Sequence, residues 1–206
     1  NELFPMKKVL IITYYWPPGG GSGVRRWLNF SNLLHQHNWQ PVIFKPLNAE
    51  YPSSDESLLR DIHPATEIIG CPITEPYQLY AKFIGRKGNA VKPGVLFQGS
   101  KPGFKEKLSV WVRSNFFIPD AKMLWIRPAT KWLSRYLKEN PVDLIVSTGP
   151  PHTTHLIALK VAKRFGIPWI ADFRDPWTEI DFFHQLNLTP LTLWQHKRLE
   201  HRVLTQ

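Results

Sequence analysis

The sequence has only one cysteine, Cys71, in 206 residues. Neither an internal disulfide framework nor a multi-cysteine zinc site can be built from it. Acidic residues are also scarce, 16 Asp and Glu against 26 Lys and Arg, which leaves a formal net charge of +10. No apolar run approaches the roughly 18–20 residues of a membrane span. The opening Asn1-Glu2-Leu3-Phe4-Pro5-Met6-Lys7-Lys8 lacks the cleavage-site pattern of a secretory leader. These absences make the cytoplasm the expected compartment. Wholesale disorder is excluded too, because 43% hydrophobic residues supply ample core. The charge fits three partner classes: nucleic acid, an anionic membrane surface, or an anionic substrate.

What is present alternates between strand and helix signals. Val9 to Tyr15 is an unbroken apolar, β-branched run of the kind buried on both faces of a parallel sheet. Trp16-Pro17-Pro18-Gly19-Gly20-Gly21-Ser22-Gly23 interrupts it, and Val24, Trp27, Leu28, Ser31 and Leu34 then recur at helical spacing, with Ser22 as the expected N-cap. Pro41 to Phe44 reads as a second strand. The pattern returns in the second half. It predicts a helix opening at Pro128, a strand over 142–147, a helix over 153–165 stopped by Gly166, a strand over 167–173 and a last helix over 190–204. The intervening segment, about 47–127, is rich in proline, glycine and aromatics, with a basic stretch Arg86 to Lys92 and a short helix expected over 105–114. This alternation predicts one doubly wound, Rossmann-like α/β domain: a mainly parallel sheet with helices on both faces.

Three strand-to-helix loops carry candidate chemistry. In the first, Gly19, Gly20, Gly21 and Gly23 flank Ser22 at the start of a helix, so backbone N–H groups and the helix dipole offer a phosphate or carboxylate site. Arg25 and Arg26 in the first turn oppose that dipole, an arrangement that an expected anion would explain. The turn matches neither G-x-G-x-x-G, because Val24 stands at the last glycine position, nor the Walker A pattern. A tight turn without a ligand is the plainer alternative. The second loop, Thr148-Gly149-Pro150-Pro151-His152, offers His152 as a base or hydroxyl donor, against a simple capping role for His152 or Thr153. The donor role meant for His152 is a hydrogen bond to a sugar hydroxyl, and His152 and His155 alone do not make a metal site. The third, Asp172-Phe173-Arg174-Asp175-Pro176-Trp177, places Asp175 and Arg174 at a strand end as a base and an orienting cation, or as a structural ion pair.

The segments Tyr14 to Arg26, Ser147 to His152 and Pro168 to Trp177, in this order at strand ends, resemble the N-terminal domain of GT-B-fold glycosyltransferases of family 4. The resemblance covers Lys7 to Gln206. It implies the acceptor-side half of a retaining transferase that uses a nucleotide sugar and needs no metal or other cofactor. The acceptor is then a glycan or lipid-linked saccharide of surface polysaccharide assembly. Gly19 to Gly23, Arg25, Arg26, Thr148 and Gly149 would face substrate or phosphate, with Asp175, His152 and Arg174 as the catalytic candidates. Where many family members carry a histidine, this sequence has Arg174, so that role does not transfer. The family would continue into a donor-binding domain beyond Gln206. Residues 1–206 are therefore expected to form a single acceptor-side domain with little activity alone. Peripheral contact with the inner face of the plasma membrane is expected through the basic, aromatic segment, and nucleic acid is disfavoured. A non-catalytic domain that binds nucleotide or phosphoglycan is the alternative.

Overall fold

The computed structural model describes residues 6–74, 111–181 and 183–206. Five strands form one all-parallel sheet: β1 Lys7–Ile12, β2 Trp39–Pro46, β3 Glu67–Cys71, β4 Leu144–Gly149 and β5 Trp169–Phe173. Their order is β3-β2-β1-β4-β5, so the chain reverses direction of travel across the sheet between β1 and β4. Among the described residues, four complete α-helices flank the sheet: α1 Ser22–Gln36, α2 Ile126–Glu139, α3 Thr153–Phe165 and α4 Pro190–Leu204. This is the doubly wound α/β architecture expected from the sequence. Folds of this kind bind ligands outside the carboxyl ends of the strands, where the order reverses.

Strand alternation divides the core. Val9 and Ile11 of β1 face α1 with Ile43 and Val146, packing on Val24, Trp27 and Leu28. Leu10 and Ile12 face the other way with Val42 and Phe44, onto Ala129 and Leu133 of α2 and Ile157 and Val161 of α3. Trp125 is fully buried there, stacked on Phe44 with centroids 5.4 Å apart. A third cluster joins Leu156 and Leu159 of α3 to Trp177 and to Val203 of α4.

Four local expectations differ from the structure. The first strand ends at Ile12 rather than Tyr15, because Thr13 Oγ1 turns back to the Tyr15 carbonyl at 3.0 Å. The N-cap of α1 is Gly21, with Ser22 the first helical residue. Pro128 sits two residues inside α2 rather than at its start. The segment expected to be irregular contains β3, which pairs only with β2, and a 3₁₀ helix at Glu56–Asp61. Residues 111–116 are helical, and the rest of the expected 105–114 helix, like Arg86 to Lys92, lies outside the described residues.

Candidate functional site

The three loops singled out in the sequence converge at the carboxyl edge beside the β1/β4 reversal. The glycine turn after β1 divides into two parts. Gly19 N–H donates to the Trp16 carbonyl and Gly20 N–H to Ser53, both at 2.9 Å, while Asp55 N–H donates to Pro18 at 2.7 Å. The first amide of the turn is thus used within the turn and the second by the segment at Ser53, and these cannot also hold an anion. The first intrahelical bond of α1 runs from Arg25 N–H to Gly21. The amides of Ser22, Gly23 and Val24 therefore point out of the helix end without an acceptor among the described residues.

Both first-turn arginines have carboxylate partners. Arg25 meets Asp55 at 2.8 Å, and Arg26 meets Asp172 at 2.8 Å. Asp172 also accepts from Trp27 Nε1 and from Thr148 Oγ1, each at 2.8 Å, so one carboxylate ties α1, β4 and β5 together. This geometry explains how two cations are tolerated at the positive end of a helix dipole. It makes Asp172 a scaffold group rather than a free base.

Arg174 fills the crevice. Its Nε donates to the Gly149 carbonyl at 3.1 Å and its Nη2 to the Pro150 carbonyl. Its Nη1 lies 1.7 Å from where a Cβ on Gly23 would be, and finds no acceptor among the described residues. Only glycine at 23 lets the guanidinium lie flat on the first turn of α1. Burial lowers the Arg174 pKa from its ordinary value, opposed by Asp175 and Asp172. Asp175 itself is exposed and accepts no hydrogen bond among the described residues.

The histidines lie deeper. His152 stacks on Trp177, centroids 4.5 Å apart and planes within 1°. Burial, with His196 and Arg174 nearby, pushes its pKa down to about 4. His155 is fully buried, stacks on Phe173 at 4.4 Å and pairs through Nδ1 with Ser147 Oγ at 2.8 Å. Ser147 Oγ also accepts from Trp169 Nε1 at 2.9 Å, which joins β4, β5 and α3 through one hydroxyl. Nε2 has no partner and lies 2.5 Å from where a Gly149 Cβ would be, which explains glycine there. Burial and His152 hold its pKa down to about 3. Pushed down this far, both pKa values favour the neutral imidazole at pH 7, and both rings pack on aromatic neighbours beneath the strand ends.

Helix α3 is capped by neither His152 nor its own Thr153. Asp120, half-buried, accepts from Thr153 N–H at 2.9 Å and from Thr153 Oγ1 at 2.8 Å. Asn115 does similar work at α4, accepting from Thr189 N–H at 2.7 Å and donating to the Asn187 carbonyl. Neither residue carries a local signal, because each serves a helix far along the chain. Among the described residues, no three His, Cys, Asp or Glu converge to hold a metal ion, and no helix is long and apolar enough to cross a membrane.

No protein-family model and no curated protein sequence matches the chain. Solved structures that it is similar to include Phytolacca americana UGT2 at 13% identity and TM-score 0.43, over 81% of this chain and 29% of that one. The same protein has been solved with UDP-2-fluoro-glucose and pterostilbene. Acinetobacter baumannii MurG is similar at 18% identity and TM-score 0.41, over 93% of this chain and 39% of that one. A C-terminal domain of the Pyrococcus furiosus PF1911 hydrogenase is similar at 11% identity and TM-score 0.41, over 84% and 95%. The chain thus spans well under half the length of the UGT2 and MurG chains, and the similarity is one of fold.

Proposed function

We propose that this chain is the acceptor-side domain of a retaining, nucleotide-sugar-dependent glycosyltransferase of the family-4 type, acting in surface polysaccharide or glycolipid assembly. One observation carries this reading: the unused Nη1 of Arg174 lies beside Gly23, in the first turn of α1 whose Ser22, Gly23 and Val24 amides lack an acceptor among the described residues, at the sheet's reversal point. A guanidinium and a helix N-terminus together favour a phosphate oxygen. Ser22, Gly23 and Arg174 would hold the phosphate of a donor or of a lipid-phosphate acceptor. Arg25 and Arg26 would act through their carboxylate partners, keeping the turn in place. Asp175, exposed beside this point, would accept or orient the acceptor hydroxyl. Peripheral contact with the inner face of the plasma membrane belongs to this reading. No resident metal or cofactor is proposed.

Calorimetric titration of the chain with nucleoside diphosphates, a lipid-phosphate-linked saccharide and short single-stranded RNA tests this reading. Phosphate-bearing ligands should bind and Arg174→Gln should weaken them, while Asp175→Asn should leave phosphate binding unchanged. Salt-sensitive RNA binding without response to the other ligands would overturn it. Robust sugar transfer by these 206 residues alone would overturn the half-enzyme reading. Phosphate binding without transfer by the complete gene product would favour the non-catalytic alternative.

A further inference from the structure

A groove of about 430 Å³ runs between α2 and α3, on the flank of the domain rather than at the carboxyl edge of its sheet. Six cations line it, Arg127, Lys131, Arg135 and Lys138 from α2 with Lys160 and Arg164 from α3, and no acidic residue does. Arg127, Lys131 and Arg135 follow one another at i, i+4, as do Lys160 and Arg164. Such like-charged pairs destabilise a helix. None of the six is ion-paired among the described residues, where the pairs formed are Arg25–Asp55 and Arg26–Asp172. Soluble surface helices ordinarily intersperse signs along a face. Here the repulsion is left standing along roughly 16 Å of α2.

A second groove of about 490 Å³ adjoins it between α3 and α4 and shares Lys160 and Arg164. Its floor is aliphatic, Leu156, Leu159 and Leu199, and its rim adds Lys163 and Arg202. We propose that these two grooves form a docking surface for an anionic phospholipid bilayer, whose headgroup phosphates the cations lining both grooves would hold. Charge complementarity with juxtamembrane phosphate selects the occupant. Nucleic acid fits less well, because neither groove is lined by an aromatic side chain on which a base could stack. This inference rests on the membrane-contact part of the reading above and is independent of sugar transfer, but it moves the contact to a different surface.

Co-sedimentation with vesicles of phosphatidylcholine, alone or mixed with phosphatidylglycerol, tests it. The chain should bind the mixed vesicles selectively and release them as salt rises. The double variant Lys131→Gln/Arg135→Gln, at exposed positions, should weaken that binding about thirtyfold with its thermal melt unchanged. Lys138→Gln/Lys160→Gln should weaken it comparably. A variant neutralising Arg86, Lys87 and Lys92 should bind as the parent does. Equal binding to both vesicle types would overturn the proposal, as would preference for tripolyphosphate or single-stranded RNA over vesicles. Loss confined to the 86–92 variant would overturn it too, returning the contact to that segment while the transferase reading stands.

Discussion

The guanidinium of Arg174 occupies the space that any side chain at Gly23 would need, with Nη1 1.7 Å from the position of that absent Cβ. Gly23→Ala must therefore displace Arg174 from the Gly149 and Pro150 carbonyls. Hydrogen bonds from a charged donor contribute about 1.5–3 kcal/mol each. Replacing a helical glycine with alanine returns about 1 kcal/mol. Gly23→Ala should thus destabilise the chain by about 2–5 kcal/mol. In an Arg174→Ala background the clash is gone, and the same substitution should stabilise by up to about 1 kcal/mol. Urea denaturation of the four proteins of this double-mutant cycle reads the reversal of sign directly. Additive effects would show that the two residues do not compete for one space.

Asp120 offers a second test, because it caps α3 from outside the helix. Asp120→Ala removes the acceptor for Thr153 N–H and should cost about 1–2 kcal/mol. Asp120→Asn keeps a carbonyl oxygen there and removes a partly desolvated charge, so its cost at neutral pH should be smaller. Burial raises the Asp120 pKa above the ordinary carboxylate value, against the pull of the Thr153 and Lys122 contacts. The folded state then holds its proton more tightly than the unfolded chain does. The wild type should lose stability relative to Asp120→Asn as pH rises from the ordinary carboxylate pKa through the raised folded one. Denaturation curves of both proteins at a series of pH values should show their gap moving in that direction. A gap independent of pH would mean that burial does not penalise the carboxylate.

The difference between what these residues announce and what they do follows from distance along the chain. β1, β4 and the loops after them are legible because continuous apolar runs stop abruptly at proline and glycine. β3 is not, since Glu67-Ile68-Ile69-Gly70-Cys71 is short, contains a glycine and pairs on one side only. The crevice is legible as a place, because it is a property of strand ends. The roles within it are not. Arg25 and Arg26 stand together in the sequence, but their partners lie 30 and 146 residues away. Asp172 and Asp175 look equivalent on paper. Only the tertiary fold makes one a shared hydrogen-bond acceptor and leaves the other exposed.

The buried histidines set how the fold responds to acid. His152 and His155 have pKa values pushed down to about 4 and about 3, chiefly by burial, against roughly 6.5 in an unfolded chain. His196 is shifted the same way by burial, opposed by Glu200. Between these values the unfolded chain takes up protons that the native state refuses. Stability is therefore complete above about pH 6.5 and falls as pH drops toward 4. At pH 5 each of His152 and His155 accounts for a loss of about 2 kcal/mol. His152→Phe keeps a ring against Trp177 and strands no hydrogen-bond partner, because His152 Nδ1 has none. That variant should unfold with about one proton less uptake between pH 5 and 6.5, measured as the slope of unfolding free energy against pH. An unchanged slope would mean that His152 is already protonated in the native state, and that its stacking on Trp177 does not exclude water from the ring.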